Sequence, residues 1–244
     1  MPENESIVAG EGVTKRFGGM TAVNNVSFEI KKGEILGLIG PNGAGKTTLF
    51  NCISAFYRAD GGSITYGGKH ITKLSPDKIC RLGIARTFQA AKSFPDMSVR
   101  DNVRMGALFG KAGISYAEAD EITDETMAFS DLDKYTMMRV PDMPLALQKR
   151  LEVARALATK PSVIMLDELM AGLNPAEVDE AMSMVRKIRD SGIAVLMIEH
   201  VMKAIMSICD RVIALHHGEV IAVGTPDQVA NNPQVIEVYL GGGA

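Results

Sequence analysis

The sequence predicts an α/β fold, a parallel-sheet core interrupted by an inserted block of helices. Three observations point to it. Short, unbroken apolar runs, EILGLI (34–39), SVIMLD (162–167) and IAVLMI (193–198), have the length of strands buried on both faces. The first runs straight into a glycine-rich loop, and a helical pattern separates the other two. From Pro95 to about Lys160 the chain turns mostly helical and Met-rich, with strand-bearing segments on either side.

The elements follow in order. Alternating and apolar runs place strands near Ser6–Thr14 and Ala22–Ile30, ahead of 34–39. Lys46–Phe56 reads as a helix, and GSITYGG (62–68) as a hairpin strand closed by Gly-Gly. Ser75-Pro76 opens a helix by cap and first-turn proline, Gly83 ends it, and GIARTF (83–88) returns as a strand. Asn174 is a second cap, with Pro175 at the first helical position and Glu177 at the third. Val178, Ala181, Met182, Val185 and Ile188 then share one face, and Gly192 closes that helix. RVIALHHGEVIAVG forms two strands around His217-Gly218, followed by a short helical tail.

Composition narrows the function. A chain of 244 residues suits one large domain, or one with a subdomain, and needs no disulfide to hold a core. A formal charge of −3, with 8 Phe, 5 Tyr and no Trp, offers neither a field nor a stacking surface for nucleic acid. Cys52, Cys80 and Cys209, odd in number and widely spaced, read as packed, reduced thiols. The start, MPENESIVAGEG, is acidic where a signal peptide needs a basic and then an apolar stretch. No apolar run approaches the roughly 18–20 residues of a membrane span. The expectation is a cytoplasmic chain whose membrane contact comes through a partner.

Residues 40–47, Gly40-Pro41-Asn42-Gly43-Ala44-Gly45-Lys46-Thr47, fit G-x-x-x-x-G-K-[ST] between an apolar strand and a helix. Glycines let successive N–H groups curl around phosphates, and the following helix adds its positive end. Lys46 supplies a point charge to the β- and γ-phosphates. The Thr47 hydroxyl is placed to bind Mg²⁺, with Thr48 next to it in the nucleotide site. VIMLDE ends a strand in two carboxylates: Asp167 would reach Mg²⁺ through water, and Glu168 would polarise the attacking water. The loop by itself leaves kinases, GTPases, helicases and transport ATPases open.

Four further segments narrow the choice: RTFQ, ending at Gln89; QKRLEVARAL (148–157); LDELMAGLNP after the carboxylates; and LMIEH, ending at His200. In this order and spacing they resemble the ATPase subunits of ABC transporters over essentially the whole chain. The resemblance implies a P-loop NTPase (RecA-like) core with an antiparallel β subdomain, from 1–94 and 161–244, and a helical subdomain inserted at 95–160. It implies Gln89 as the Q-loop residue and a further metal contact, Glu168 as catalytic base and His200 as the switch histidine contacting the γ-phosphate. Phe17, in KRFGG, looks like the aromatic that stacks on adenine. TKRFGGMTAVNNVSFEI, AGLNPAE, IEHVMKAIMSICDRV and GTPDQVANNPQVIEVYLG look closer still to the branched-chain amino-acid uptake ATPases. Those ATPases work as a pair, of two copies or with a sister ATPase, beneath membrane permease subunits fed by a solute-binding protein. The implied place is the inner face of the cell membrane.

Departures are local. The signature segment of the family, LSGGQ or in this branch closer to L-P-Y-G-[DQ], aligns with Met143-Pro144-Leu145-Ala146-Leu147, which lacks its glycine and any hydroxyl. Leu169 replaces the proline after the catalytic Glu, and Asn174 the D-loop Asp. ATP binding by this chain's own loop is untouched, whereas slow turnover and a weak nucleotide dimer are expected. The alternative is a nucleotide-binding regulatory subunit with little turnover. Finally, the resemblance places a groove for a permease helix around Gln89 and Phe94–Leu108, with Ser98 as helix cap. Phe94, Met97, Val99, Val103 and Met105 are its apolar side chains.

Overall fold

A computed structural model describes residues 5–87, 93–110 and 113–240. Among the described residues, ten strands form two sheets. β1 (Ser6–Phe17), β2 (Met20–Lys31), β4 (Gly61–Tyr66) and β5 (Lys69–His70) make an antiparallel sheet ordered β2-β1-β4-β5. The second sheet, ordered β10-β9-β3-β8-β7-β6, uses β3 (Ile35–Ile39), β6 (Ile84–Arg86), β7 (Val163–Asp167), β8 (Ala194–Ile198), β9 (Arg211–His216) and β10 (Glu219–Gly224). All its pairings are parallel except β9–β10.

The uninterrupted apolar runs are explained by burial on both faces. Successive side chains of a strand point opposite ways. Leu36 and Leu38 of β3, Val163 and Met165 of β7, and Leu196 and Ile198 of β8 join one core, with the antiparallel sheet and α1 (Lys46–Ile53). Ile35, Ile39, Ile164, Leu166, Val195 and Met197 join a second core, beneath α6 (Pro175–Asp190) and α7 (Met202–Ile208). A third core holds together α3 (Val99–Gly110), α4 (Tyr116–Phe129) and α5 (Leu145–Leu157). α2 (Pro76–Leu82), α8 (Pro226–Ala230) and α9 (Pro233–Leu240) complete the chain. Among the described residues, no helix is long and apolar enough to cross a membrane.

Capping matches the sequence signals at Asn174 and Ser98, whereas Ser75 precedes α2 without a side-chain cap hydrogen bond, and the proline at the first helical position carries that start. Asn174 Oδ1 accepts from the N–H groups of Ala176 and Glu177, and Glu177 returns a bond to the Asn174 N–H. Ser98 accepts from the Asp101 N–H at the start of α3. Boundaries differ where tertiary contacts intervene. α1 stops at Ile53 rather than near Phe56, because Arg86 Nη1 donates to Asn51 Oδ1 at 2.7 Å and Ser54 Oγ at 2.9 Å, and Ala55 turns left-handed. α5 begins at Leu145: with no glycine in the segment, Leu-Ala-Leu are good helix formers and carry the helix back to Pro144.

Leu36 is fully buried in the first core. Leu36→Ala is expected to cost about 2–5 kcal/mol, read as a lowered urea midpoint. A loss under about 1 kcal/mol would show that β3 is not the packed centre of the fold.

Candidate functional site

The three central strands end level with one another. Leu38 of β3 pairs with Ile198 of β8, and Asp167 of β7 pairs with the same Ile198. The segments that leave these strands therefore meet at the carboxyl edge of the sheet, where parallel α/β folds bind ligands. They are the loop 40–45, Glu168 and His200.

The loop links β3 to α1 and is held from outside as well as within. Gly218 N–H donates to Ala44 O at 3.0 Å, and Asn24 N–H to Gly218 O at 2.8 Å. This contact is close enough to demand glycine. A Cβ on Gly45, whose φ is 100°, would stand 2.4 Å from Ala22 O, and one on Gly40 2.2 Å from Leu215 O. α1 starts with no side-chain cap and no acidic residue in its first turn, which leaves its positive end to an external anion. Lys46 is buried at that end, its Nζ donating to Gly40 O at 2.6 Å and Pro41 O at 3.0 Å. Burial pulls the amine below its usual pKa, against the upward pull of Glu168 and Asp167. Thr47 is exposed and Thr48 half-exposed in the same turn.

Asp167 is buried, and burial raises its carboxyl pKa; Arg86, whose Nη2 lies 3.8 Å from Oδ2, pulls the other way. Its N–H donates to Thr87 Oγ1. Glu168 has a φ of 50°, uncommon for a residue with a side chain. Its N–H is tied to Ile198 O at 2.9 Å and its carbonyl accepts from Lys149 Nζ at 3.1 Å. That twist turns the side chain toward the neighbouring strand end, where Oε1 meets His200 Nε2 at 3.1 Å. Gln89 lies outside the described residues. Phe17 is 41% exposed at the tip of the β1–β2 hairpin, paired with Met20 and edge-on to Tyr57. Two residues beyond Met20 is Ala22, the residue against Gly45.

Arg86, Thr87, Lys149 and Glu199 also belong to this edge, and the sequence reading did not single them out. Arg86 and Glu199 carried a signal: a charge inside or directly after an apolar strand run. Glu199 is 3% exposed; its Oε1 accepts from Met170 N–H at 2.9 Å, which ties the turn after Glu168 to the strand that leads into His200. Burial pushes its pKa up to about 7.

The departures resolve as packing. Ala146 is helical, so the backbone strain a missing glycine could bring does not arise. Leu147 packs on the helical core, Leu169 is buried in the second core, and Leu145 is exposed near Gly172.

A phosphate-gripping loop, an acidic strand end and a histidine just past the next strand define a P-loop nucleotide-binding protein. Comparison with known proteins makes this specific. The ABC transporter family profile matches residues 23–171, and a profile described as branched-chain amino acid ATP-binding cassette transporter matches residues 219–244. The chain is 38% identical over 252 residues to the high-affinity branched-chain amino acid transport ATP-binding protein LivG of Salmonella typhimurium, covering 98% of this chain and 99% of that one. It is likewise 38% identical to BraF of Pseudomonas aeruginosa over 249 residues, 96% and 98% of the two chains. A nucleotide-free ATP-binding cassette from an ABC transporter superposes with a TM-score of 0.88 at 29% identity, covering 97% of this chain and all of that one. A dimeric cassette bound to ADP and Pi gives 0.80 at 25%, covering 90% and 98%. The chain belongs to the ABC transporter ATP-binding family and is an ATP-binding cassette of that ATP-hydrolysing class.

Two outcomes follow from the geometry. Gly43, at φ 80°, has open space around it, so Gly43→Ala should cost only the backbone strain, about 1–2 kcal/mol. Gly45→Ala adds a collision with backbone and should cost clearly more in urea unfolding; equal costs would mean the loop is free to move off Ala22. The second outcome concerns Glu199. Its folded pKa of about 7 lies above the unfolded value near 4.3, so the folded protein keeps a proton that the unfolded chain releases between those values. Stability from this site is intact below that window and falls as pH rises through it, by at most about 1.4 kcal/mol per unit. Glu199→Gln keeps an acceptor for Met170 and cannot ionise. It should flatten that stretch of the stability curve and exceed wild type above pH 7. Parallel curves would refute the assignment.

Proposed function

We propose that this chain is the ATP-hydrolysing subunit of an importer for branched-chain amino acids or a related small polar solute. The observation that carries the reading is the Glu168–His200 contact at 3.1 Å, at the edge where the phosphate loop opens. The names of its relatives and the profile match at 219–244 support the class of solute.

In this reading the ATP phosphates lie in the loop 40–47, with Thr48 beside them and the adenine on Phe17. Lys46 exchanges the carbonyls of Gly40 and Pro41 for phosphate oxygens. That swap suits a buried amine, because the charge it meets is a full one. Mg²⁺, when bound, neutralises charge building on those oxygens. The donor set fits a hard cation: the Thr47 hydroxyl, the Asp167 carboxylate through water, and Gln89. Burial makes the Asp167 charge costly by itself, and a cation relieves that cost. Glu168 orients the attacking water as base, and the strained backbone that aims it is held by Ile198 and Lys149. His200 bonds Glu168 here and turns to the γ-phosphate when nucleotide is present.

Two cassettes, identical or sister chains, would close head to tail around ATP, with α5 of each facing the other's γ-phosphate. α5 brings the open N–H groups of its first turn, but no side-chain donor from Leu145 or Leu147. The altered segment thus slows hydrolysis without changing its class. Residues 95–160 act as a subdomain, and the cleft between β6 and α3 takes a helix of the membrane permease. That cleft is lined by Phe94 and Met105, whereas Val99 and Val103 are spent in the helical core. The chain then sits on the inner face of the membrane, beneath permeases served by a solute-binding protein.

Steady-state ATPase activity should fall about 10²–10⁴-fold in Glu168→Gln, with ATP affinity retained and an ATP-dependent dimer accumulating in light scattering. Lys46→Ala should lose calorimetric ATP binding. Hydrolysis unchanged in Glu168→Gln would remove the base from this mechanism.

A further inference from the structure

The cleft that separates β6 and the ends of α1 and α2 from α3 and α5 has a volume of about 450 Å³. Its wall is apolar: Phe56, Phe94, Met105 and Phe109 line it, and Phe109 is 66% exposed. An apolar groove of this kind suits the face of a partner helix. Its floor holds something such a groove does not need. Glu152 is 7% exposed, lines the cleft, and among the described residues its Oε1 has no hydrogen-bond partner. Burial raises its pKa, as expected of a carboxyl without enough donors.

A buried acceptor left unmatched destabilises the chain that carries it, and most native examples answer to a purpose. The surroundings show which donor is missing. Arg155, one turn along α5, lies over the Phe94 ring at 5.0 Å and acts electrostatically on Glu152. Arg86 also lines the cleft, engaged with Asn51, Ser54 and Asp167. Lys149 and Arg155 therefore already act as positive charges on this one carboxylate. A further cation entering this apolar space would find no countercharge of its own.

We propose that the cleft receives a permease segment presenting an uncharged hydrogen-bond donor among apolar side chains, and that Glu152 Oε1 reads this donor. The donor is a hydroxyl, an amide, or the open N–H of a first helical turn. The proposal rests on the permease-docking reading and adds the chemistry of the segment that docks.

The test measures binding of the full chain to the membrane subunits of its own transporter, in nanodiscs freed of ATPase, at two salt concentrations. Wild type is compared with Phe109→Ser, Glu152→Ala and Glu152→Gln, and the ATP affinity of each isolated chain reports folding. Phe109→Ser should weaken docking, and Glu152→Ala should weaken it about ten- to a hundredfold. Glu152→Gln, which keeps an acceptor oxygen and nearly the same shape, should fall between, with the salt dependence of wild type. ATP affinity should be equal throughout. If Phe109→Ser docks normally, the docking reading itself is lost, and the proposal with it. If Phe109→Ser fails to dock while both Glu152 variants dock normally, docking stands and the role of Glu152 is refuted. Loss of salt dependence in Glu152→Gln would show a cationic partner and overturn the uncharged donor. Should Glu152→Ala lose ATP affinity, the comparison is made on Glu152→Gln alone, where undiminished docking refutes the role.

Discussion

The register of β3, β8 and β7 is the constraint on which the rest of the molecule depends. These strands are buried on both faces, so each side chain is committed to one of two cores. A slip of one residue would exchange the two sets completely. With register set in this way, the strands end together, and Gly40, Glu168 and His200 emerge beside one another. Chemistry is not asked to hold the strands; hydrophobic burial does that, and the polar groups gather at the edge.

The edge itself is arranged before any nucleotide arrives. The loop is wedged between Ala22 and Gly218, contributed by parts of the chain far from it in sequence, so its amides are fixed by the tertiary structure. Lys46 and Asp167 are both buried with their charges incompletely matched, and burial moves their pKa values in opposite directions, each toward the neutral form. A polyanion with a dication corrects both at once. The site is thus strained electrostatically in a sense that favours its ligand, and at Glu168 it is strained in the backbone as well.

Packing also accounts for the segments that depart from the family pattern. Leu147 packs against the helical core, Leu169 is buried in the second core, and Ala146 is an ordinary helical residue. A glycine replaced in a loop would require a conformational concession. Here the helix extended instead, which needs no left-handed residue.

Much of this was legible in the chain itself. The three doubly buried strands announce themselves because burial on both faces forces unbroken apolar runs, and the loop 40–47 because phosphates need amides bare of side chains. Asn174-Pro175 and Ser98 declare helix starts by local hydrogen bonding, which depends on near neighbours alone. Other features had no local cause. Asn51 and Ser54 end α1 through Arg86, more than thirty residues away. Glu199 grips Met170 across two strands, and Glu152 Oε1 has no hydrogen-bond partner among the described residues, at the floor of a cleft walled by three helices and a strand. Local sequence determined which segments are strands, helices and phosphate loop, because backbone geometry and capping act over a few residues. Which polar groups are buried, paired or left waiting was decided only by the tertiary structure, because burial is a property of everything that packs around a group.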